Sequence, residues 1–224
     1  MSQQAGMQRA SDANGGEAGA RTANGTTRGG RAFRAAAWKL FAAALAVRLL
    51  ALVAAGDSEL VLDEIAYLER AGALLDGKGY LGSYQSWVRH DGWKIMDLPQ
   101  YPGAYQAPGY PTFIAGVLAV TGRSATAVKV AQCVLSAATC VLLLALGSAW
   151  FGARTGRIAG WMWALYPNAV AFTHYLWSET LFTFLLLALL VALFAVRGGD
   201  SDGDAGDTSR ESTVYLGLQV NGRG

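Results

Sequence analysis

YPTFIAGVLAVT, residues 110–121, decides how this chain is threaded. At about 1.5 Å per helical residue it reaches about 18 Å, well short of the roughly 30 Å of a bilayer core. Around it lie four longer apolar runs: AAAWKLFAAALAVRLLALVAA (Ala35–Ala55), Ala125–Phe151, Ile158–Tyr175 and Thr180–Val196. The basic residues arbitrate, because cytoplasmic loops of membrane proteins collect Arg and Lys. Arg9, Arg21, Arg28, Arg31 and Arg34 precede the first run, Arg154 and Arg157 sit in the turn FGARTGR, and Arg197 follows the last run. If residues 110–121 do not cross, all three groups fall on one side, giving four spans with both ends inside and a re-entrant or interfacial stretch at 109–121. If they cross, there are five spans, with Arg154 and Arg157 outside and Arg123 and Lys129 inside. The charge pattern favours four.

Composition agrees with a membrane protein. Of 224 residues 53% are hydrophobic and 15% charged, against about 25% charged in soluble domains; the mean hydropathy is +0.26. Two Cys and two His leave neither a disulfide framework nor a zinc cluster, and a net charge of +2 does not point to nucleic acid. No P-loop or dinucleotide-type glycine motif is present. The fold class expected is therefore an all-α polytopic membrane protein.

Residues 1–34 are rich in Gly, Ala, Ser, Thr, Asn and Gln and read as a disordered basic cytoplasmic arm. In the first span, Lys39 and Arg48 are expected to snorkel towards opposite interfaces. A cleaved signal peptide is the competing reading there, since Val53 and Ala55 resemble a cleavage pattern. Residues 56–108 form a long outer loop, of the kind that is usually functional, with Tyr80, Tyr84, Trp87, Trp93, Tyr101 and Tyr105 among Gly and Pro. Within it LDEIAYLERAGALLDGKGY reads as an amphipathic helix at the membrane surface, with Ile65, Leu68, Gly72 and Leu75 at helical spacing and Gly77 and Gly79 as its stop. Residues 197–224 form an acidic, Gly-rich tail expected to be disordered.

The four-span layout puts three polar groups on the outer side: Asp63 with Glu64, YQAPGYP from Tyr105 to Pro111, and HYLWSE from His174 to Glu179, joined by Lys129. Adjacent helical carboxylates point about 100° apart, so one can face a reaction while its neighbour faces a partner. Tyr67 shares their face at i+4 from Asp63 and i+3 from Glu64. Plainer readings stand beside these. Asp63 and Glu64 suit the positive end of a helix, Glu179 likewise follows Ser178, Lys129 suits a snorkelling position, and Pro108 and Pro111 shape the chain's return to the membrane. Cys133 and Cys140 are about 10 Å apart along one helix and read as packing residues.

The order of the pieces carries a resemblance. A basic first span with Arg48, the DE pair 63–64, APGYP at 107–111, Gly122, AVK at 127–129 followed by Gln132, FGAR at 151–154, ALYP at 164–167 and SET at 178–180 run in sequence. The stretch from Arg48 to Val196 resembles the N-terminal part of the polytopic glycosyltransferases of family 39, relatives of the dolichyl-phosphate-mannose protein mannosyltransferases and the lipid A aminoarabinose transferases. That resemblance implies a GT-C fold and inverting transfer of a sugar from a polyprenyl-phosphate donor to an acceptor on the extracytoplasmic face of the cell membrane. It implies Asp63 as the base that deprotonates the acceptor and Glu64 as the neighbouring acid that positions it. Lys129 falls where family members often carry an Arg that pairs with the donor phosphate. Glu179 matches an acid facing the same cavity, and Tyr67, Tyr105, Gln106 and Tyr110 are expected around the substrate groove. Asp63, Glu64 and Glu179 offer oxygen ligands to a divalent metal without specifying a site.

Family members are considerably longer, so the chain reads as a truncated form or one completed by a partner membrane subunit. A different class of function, a non-catalytic membrane scaffold or assembly subunit, remains open: small residues such as Ala137, Ala138, Gly156 and Gly160 would let partner spans pack closely.

Overall fold

The computed structural model describes residues 2–56, 60, 62–82, 101–102 and 106–200, with side chains for 29–56, 60, 63–82 and 106–195. In order these form α1 (Ser2–Ala55), α2 (Leu62–Leu75), β1 (Leu81–Gly82), β2 (Tyr101–Pro102), α3 (Gly109–Thr121), α4 (Ala125–Phe151), α5 (Ala153–Leu165), α6 (Pro167–Ala171) and α7 (Glu179–Asp200). The expected all-helical architecture is present, with one addition: β1 and β2 pair antiparallel, Leu81 opposite Pro102 and Gly82 opposite Tyr101. Two stretches are long and apolar enough to cross a membrane, Gly29–Ala55 and Ala125–Phe151, and Gly109–Thr121 and Glu179–Ala195 are shorter apolar helices. The arm expected to be disordered carries helical backbone from Ser2, for a helix already nucleated by an apolar span adds residues at far lower cost than one started alone.

Side-chain contacts fix the direction of each helix. On α1, Leu40 packs with Cys140 and Leu144 of α4, while Arg48, two turns further on, bonds to Ser136; the two helices are antiparallel. Helix α5 is antiparallel to α4 too, with Gly156 against Gly147 at one end and Ala164 clustered with Ala137 at the other. Helix α7 runs parallel to α4, starting beside the cluster that contains Val128 and reaching Trp150 through Phe194, ring centroids 6.3 Å apart. The chain thus leaves α1 and enters α4 at the same end of the bundle. Helix α3 does not traverse it: Tyr110 at its start bonds to Gln132 of α4, and Arg123 just past its end pairs with Asp76 beyond α2. Burial alone would raise the Asp76 carboxyl, but Arg123, and then Lys78, outweigh it and hold the group below the usual carboxylate range.

The local signals are ordinary. Helix α2 stops at Leu75, and Gly77 and Gly79 take the left-handed φ of +70° and +83° that a β-carbon disfavours. Ser124 caps α4, its hydroxyl accepting from the Ala127 N–H at 3.3 Å. Helix α2 is more enclosed than a helix lying on a surface: Ile65, Leu68 and Gly72 are buried as their spacing requires, but so are Glu64, Glu69 and Arg70.

Two expectations about the spans are corrected. Ile158–Tyr175 is not one helix: α5 begins at Ala153 and ends at Leu165, because Pro167 has no N–H to continue the ladder and its ring clashes with the preceding turn. Arg48 does not snorkel. It is fully buried and donates to Ser136 Oγ at 2.8 Å, to the Ala164 carbonyl at 3.2 Å and to the Trp163 carbonyl at 3.3 Å. Pro167 supplies no N–H to that last turn, where the Trp163 carbonyl also accepts from the Tyr166 N–H at 3.3 Å, and a cation at a helix C-terminus is favoured by the dipole. Cys133 and Cys140 are buried and unbridged, as packing residues should be.

Close approach of α5 to α4 depends on Gly156, Gly160 and Ala164, all buried one turn apart. A β-carbon at Gly156 would collide with Ser148 Oγ and come within 2.5 Å of the Leu144 carbonyl oxygen and the Ser148 nitrogen. Gly116 on α3 would meet nothing within 4 Å. Gly156→Ala is therefore expected to lower stability by about 1–3 kcal/mol, whereas Gly116→Ala should be neutral or raise it by up to about 1 kcal/mol. Reversible unfolding in mixed micelles measures both.

Candidate functional site

At the end of the bundle where α1 leaves and α4 enters, four segments meet: the first turns of α2, the start of α3, the second turn of α4 and the link 172–178 between α6 and α7. The link is held by polar side chains from its neighbours. Glu64, 1% exposed, accepts through Oε1 from the Leu176 N–H at 2.8 Å. Gln132, fully buried on α4, donates through Nε2 to the Tyr175 carbonyl at 2.8 Å and the Thr173 carbonyl at 3.4 Å. Its Oε1 accepts from the Tyr110 hydroxyl at 2.8 Å. Thr180 closes the link by donating to the Phe172 carbonyl at 3.2 Å. Apart from the bond between Tyr110 and Gln132, each satisfies a backbone group that an irregular segment inside an apolar bundle would otherwise leave unpaired.

The candidate residues divide. Asp63 and Glu64 diverge as neighbours on a helix do, Asp63 exposed and Glu64 buried. Tyr67 stands edge-on to the Tyr110 ring, centroids 4.8 Å apart, in a geometry worth about 0.5–1.5 kcal/mol beyond the area it buries. Tyr110 is 4% exposed; burial first, then Tyr67, Glu64 and Glu179, push its hydroxyl well above the ordinary tyrosine range, so it stays protonated and donates to Gln132. Glu179 is exposed at the first position of α7. Lys129 is buried at 7% exposure on α4, one turn before Gln132. Gln106 is half-buried, its carbonyl accepting from the Tyr80 hydroxyl at 2.7 Å and its side-chain Oε1 buried without a partner. Tyr105 lies outside the described residues, as do Tyr84, Trp87 and Trp93. His174 has its Nε2 buried without a partner, and among the described residues no group of three or more His, Cys, Asp or Glu is placed to hold a metal ion.

Gln132 is the residue whose role sequence reasoning missed. The available signal was a lone amide in a long apolar helix, which in a membrane protein is expected to bond across helices or serve function. Gln132→Leu would strand the Tyr110 hydroxyl and two carbonyls, and is expected to cost about 2–3 kcal/mol. Tyr110→Phe leaves a single amide oxygen unpaired and should cost about 1 kcal/mol. Equal losses in unfolding experiments would mean that the amide carries no more than the one bond to Tyr110.

Residues 105–202, under half of the chain, match the family model described as dolichyl-phosphate-mannose-protein mannosyltransferase. The match takes in α3 to α7, with Gln106, Tyr110, Lys129, Gln132 and Glu179, so the family that the ordered motifs resemble is found over this part; Asp63, Glu64 and Tyr67 precede it. No curated protein and no solved structure matches the chain.

Proposed function

We propose, from the family match over α3 to α7, that this chain is the N-terminal membrane module of a glycosyltransferase that takes its sugar from a polyprenyl-phosphate donor. Its helices cross the cell membrane four times, as α1, α4, α5 with α6, and α7, in a GT-C-like arrangement. The start of α5, with Arg154 and Arg157, lies at the cytoplasmic side, and the end that holds Asp63, Glu64 and Glu179 faces outward. The reaction is a single inverting displacement. Asp63, the exposed carboxylate of the α2 pair, takes the proton of the acceptor hydroxyl as that oxygen bonds to the anomeric carbon. The carbon–oxygen bond to phosphate breaks on the opposite side, and its electron pair leaves with the polyprenyl phosphate. Lys129 offsets that charge, as a point cation rather than a bidentate fork. Glu64 holds the 172–178 link in place, and Tyr67, Gln106 and Tyr110 line the approach.

The observation that supports this best is the convergence of Glu64, Tyr67 and Tyr110 on the link that opens into Glu179, at one end of the bundle, at the opposite end from Arg154 and Arg157. The scaffold reading has less behind it: Ala137, Gly156 and Gly160 are buried in the contacts among α1, α4 and α5, leaving only the half-buried Ala138 of that set for partner spans. The test is sugar transfer in membranes containing the complete system, with Asp63→Asn against the unaltered chain.

A further inference from the structure

Arg70 belongs to none of the roles above, and its surroundings are unusual. It lies on α2 at 5% exposure, and no carboxylate pairs with it among the described residues. Its Nη1 donates to the Ala66 carbonyl one turn back at 3.0 Å, while its Nε is buried without any hydrogen-bond partner. The guanidinium lies 5.8 Å from the centroid of the Tyr80 ring. On another side it rests on the bare backbone of Gly82, where a β-carbon would stand 2.7 Å from its Cζ. Tyr80 does not supply the missing charge, since burial raises its hydroxyl against the opposing pull of Arg70 and keeps it neutral. Burying a guanidinium costs several kcal/mol unless an anion and further hydrogen bonds compensate it, and here the described residues provide one carbonyl and one ring face. The fork of an arginine with open N–H groups matches a phosphate or carboxylate.

The position along α2 says which part of a substrate that anion would belong to, and this step rests on the glycosyltransferase reading. Asp63 and Arg70 are seven residues apart on one helix, about 10 Å along the axis and about 20° apart in azimuth. In an inverting displacement the base stands on the acceptor side of the anomeric carbon and the leaving phosphate on the other. A cation further along the base's own helix face is therefore on the acceptor side. We propose that Arg70, with Tyr80 and the Gly82 backbone, binds an anionic group of the acceptor, a phosphate or carboxylate about one sugar unit from the hydroxyl that Asp63 deprotonates.

The test is a binding measurement on the full chain in detergent, with glucose 6-phosphate and glucuronate as probes and glucose as the neutral control, read by thermal unfolding. The two anionic sugars are expected to raise the melting temperature and glucose is not. Arg70→Met should weaken the apparent affinity for the anionic probes at least tenfold, and Arg70→Lys, which keeps the charge without the fork, should fall between. Without ligand, Arg70→Met should melt no lower than the unaltered chain, because it removes a buried charge that no carboxylate among the described residues neutralises. A ligand-free Arg70→Met chain that melts lower makes the arginine a structural strut and overturns the proposal. So does an anion-induced shift that survives the substitution, or the absence of any shift in the unaltered chain. The outcomes separate from those of the transferase reading. Arg70-dependent binding alongside full transfer by Asp63→Asn removes the catalytic assignment and leaves an anion site. Loss of transfer in Asp63→Asn without anion binding removes this inference alone.

Discussion

Arg48→Met is expected to destabilise the bundle by about 1–2 kcal/mol, read as reduced stability in reversible unfolding from mixed micelles. Methionine fills similar space with an unbranched apolar chain, so lost packing is a small part of the effect. What goes is a set of hydrogen bonds from one buried guanidinium to Ser136, Ala164 and Trp163, three partners on two other helices. Ser136 can turn its hydroxyl to a carbonyl of its own helix and the Trp163 carbonyl keeps the Tyr166 N–H at 3.3 Å, but the Ala164 carbonyl stands where Pro167 has broken the ladder. A buried carbonyl left unpaired costs about 1–3 kcal/mol. Relief from burying the guanidinium offsets part of the loss, as it does when buried charges are replaced by apolar groups, and the net remains unfavourable because the acceptors are backbone and stay behind. Pro167→Ala removes the ring that breaks the ladder, so that the Asn168 N–H can turn back to the Ala164 carbonyl. It should recover part of the deficit in the Arg48→Met background, giving a coupling of about 1 kcal/mol between residues 119 positions apart. Stability unchanged in Arg48→Met would mean that the arginine is not what fastens α1 to the end of α5.

Much of this arrangement was legible in the sequence because it is local. The Gly77 and Gly79 stop of α2, the Ser124 cap of α4 and the shortness of 110–121 are each written within a few residues. The grouping of basic residues at one end likewise needed no partner to interpret. Less legible was anything whose meaning lies in a distant group. Arg48 reads as an interfacial charge until Pro167 leaves the Ala164 carbonyl for it. Gln132 reads as a tolerated polar residue until Tyr110, 22 positions earlier, and the carbonyls of Thr173 and Tyr175 converge on it. Pro167 was itself visible, yet the apolar composition on both sides of it suggested one continuous span. Of the candidate site, the DE pair was legible as two carboxylates on diverging directions; which of them would be buried was not, since that depends on where the 172–178 link lies. Arg70 was hidden because a charged residue on an amphipathic helix is ordinarily solvated, and α2 is enclosed where a surface helix would not be.

Asp63→Asn is expected to lower sugar transfer by about 10²–10⁴-fold, the range a positioned general base contributes, while leaving the fold unchanged within about 1 kcal/mol. The second half of that expectation follows from exposure. Asp63 lies in the first turn of α2 with its side chain in the open, so all it gives the helix is the favourable placement of negative charge near an N-terminus, about 0.3–1 kcal/mol. Asparagine keeps the shape and hydrogen-bonding reach of the carboxylate but takes up no proton, so loss of rate at constant stability isolates the base. Glu64 should behave in the opposite way. Glu64→Gln retains an oxygen to accept the Leu176 N–H, so the 172–178 link stays fastened and the rate falls less than in Asp63→Asn. Glu64→Ala removes that acceptor from a site 1% exposed and should cost about 1–3 kcal/mol, loosening the link and with it the start of α7 at Glu179. The pair is thus separable by two readouts, rate for Asp63 and stability for Glu64. Full transfer by Asp63→Asn, with the chain present at normal abundance, would take the base assignment away from α2. A rate loss confined to Glu64→Gln would move it one residue along, to the carboxylate that the fold has turned inward.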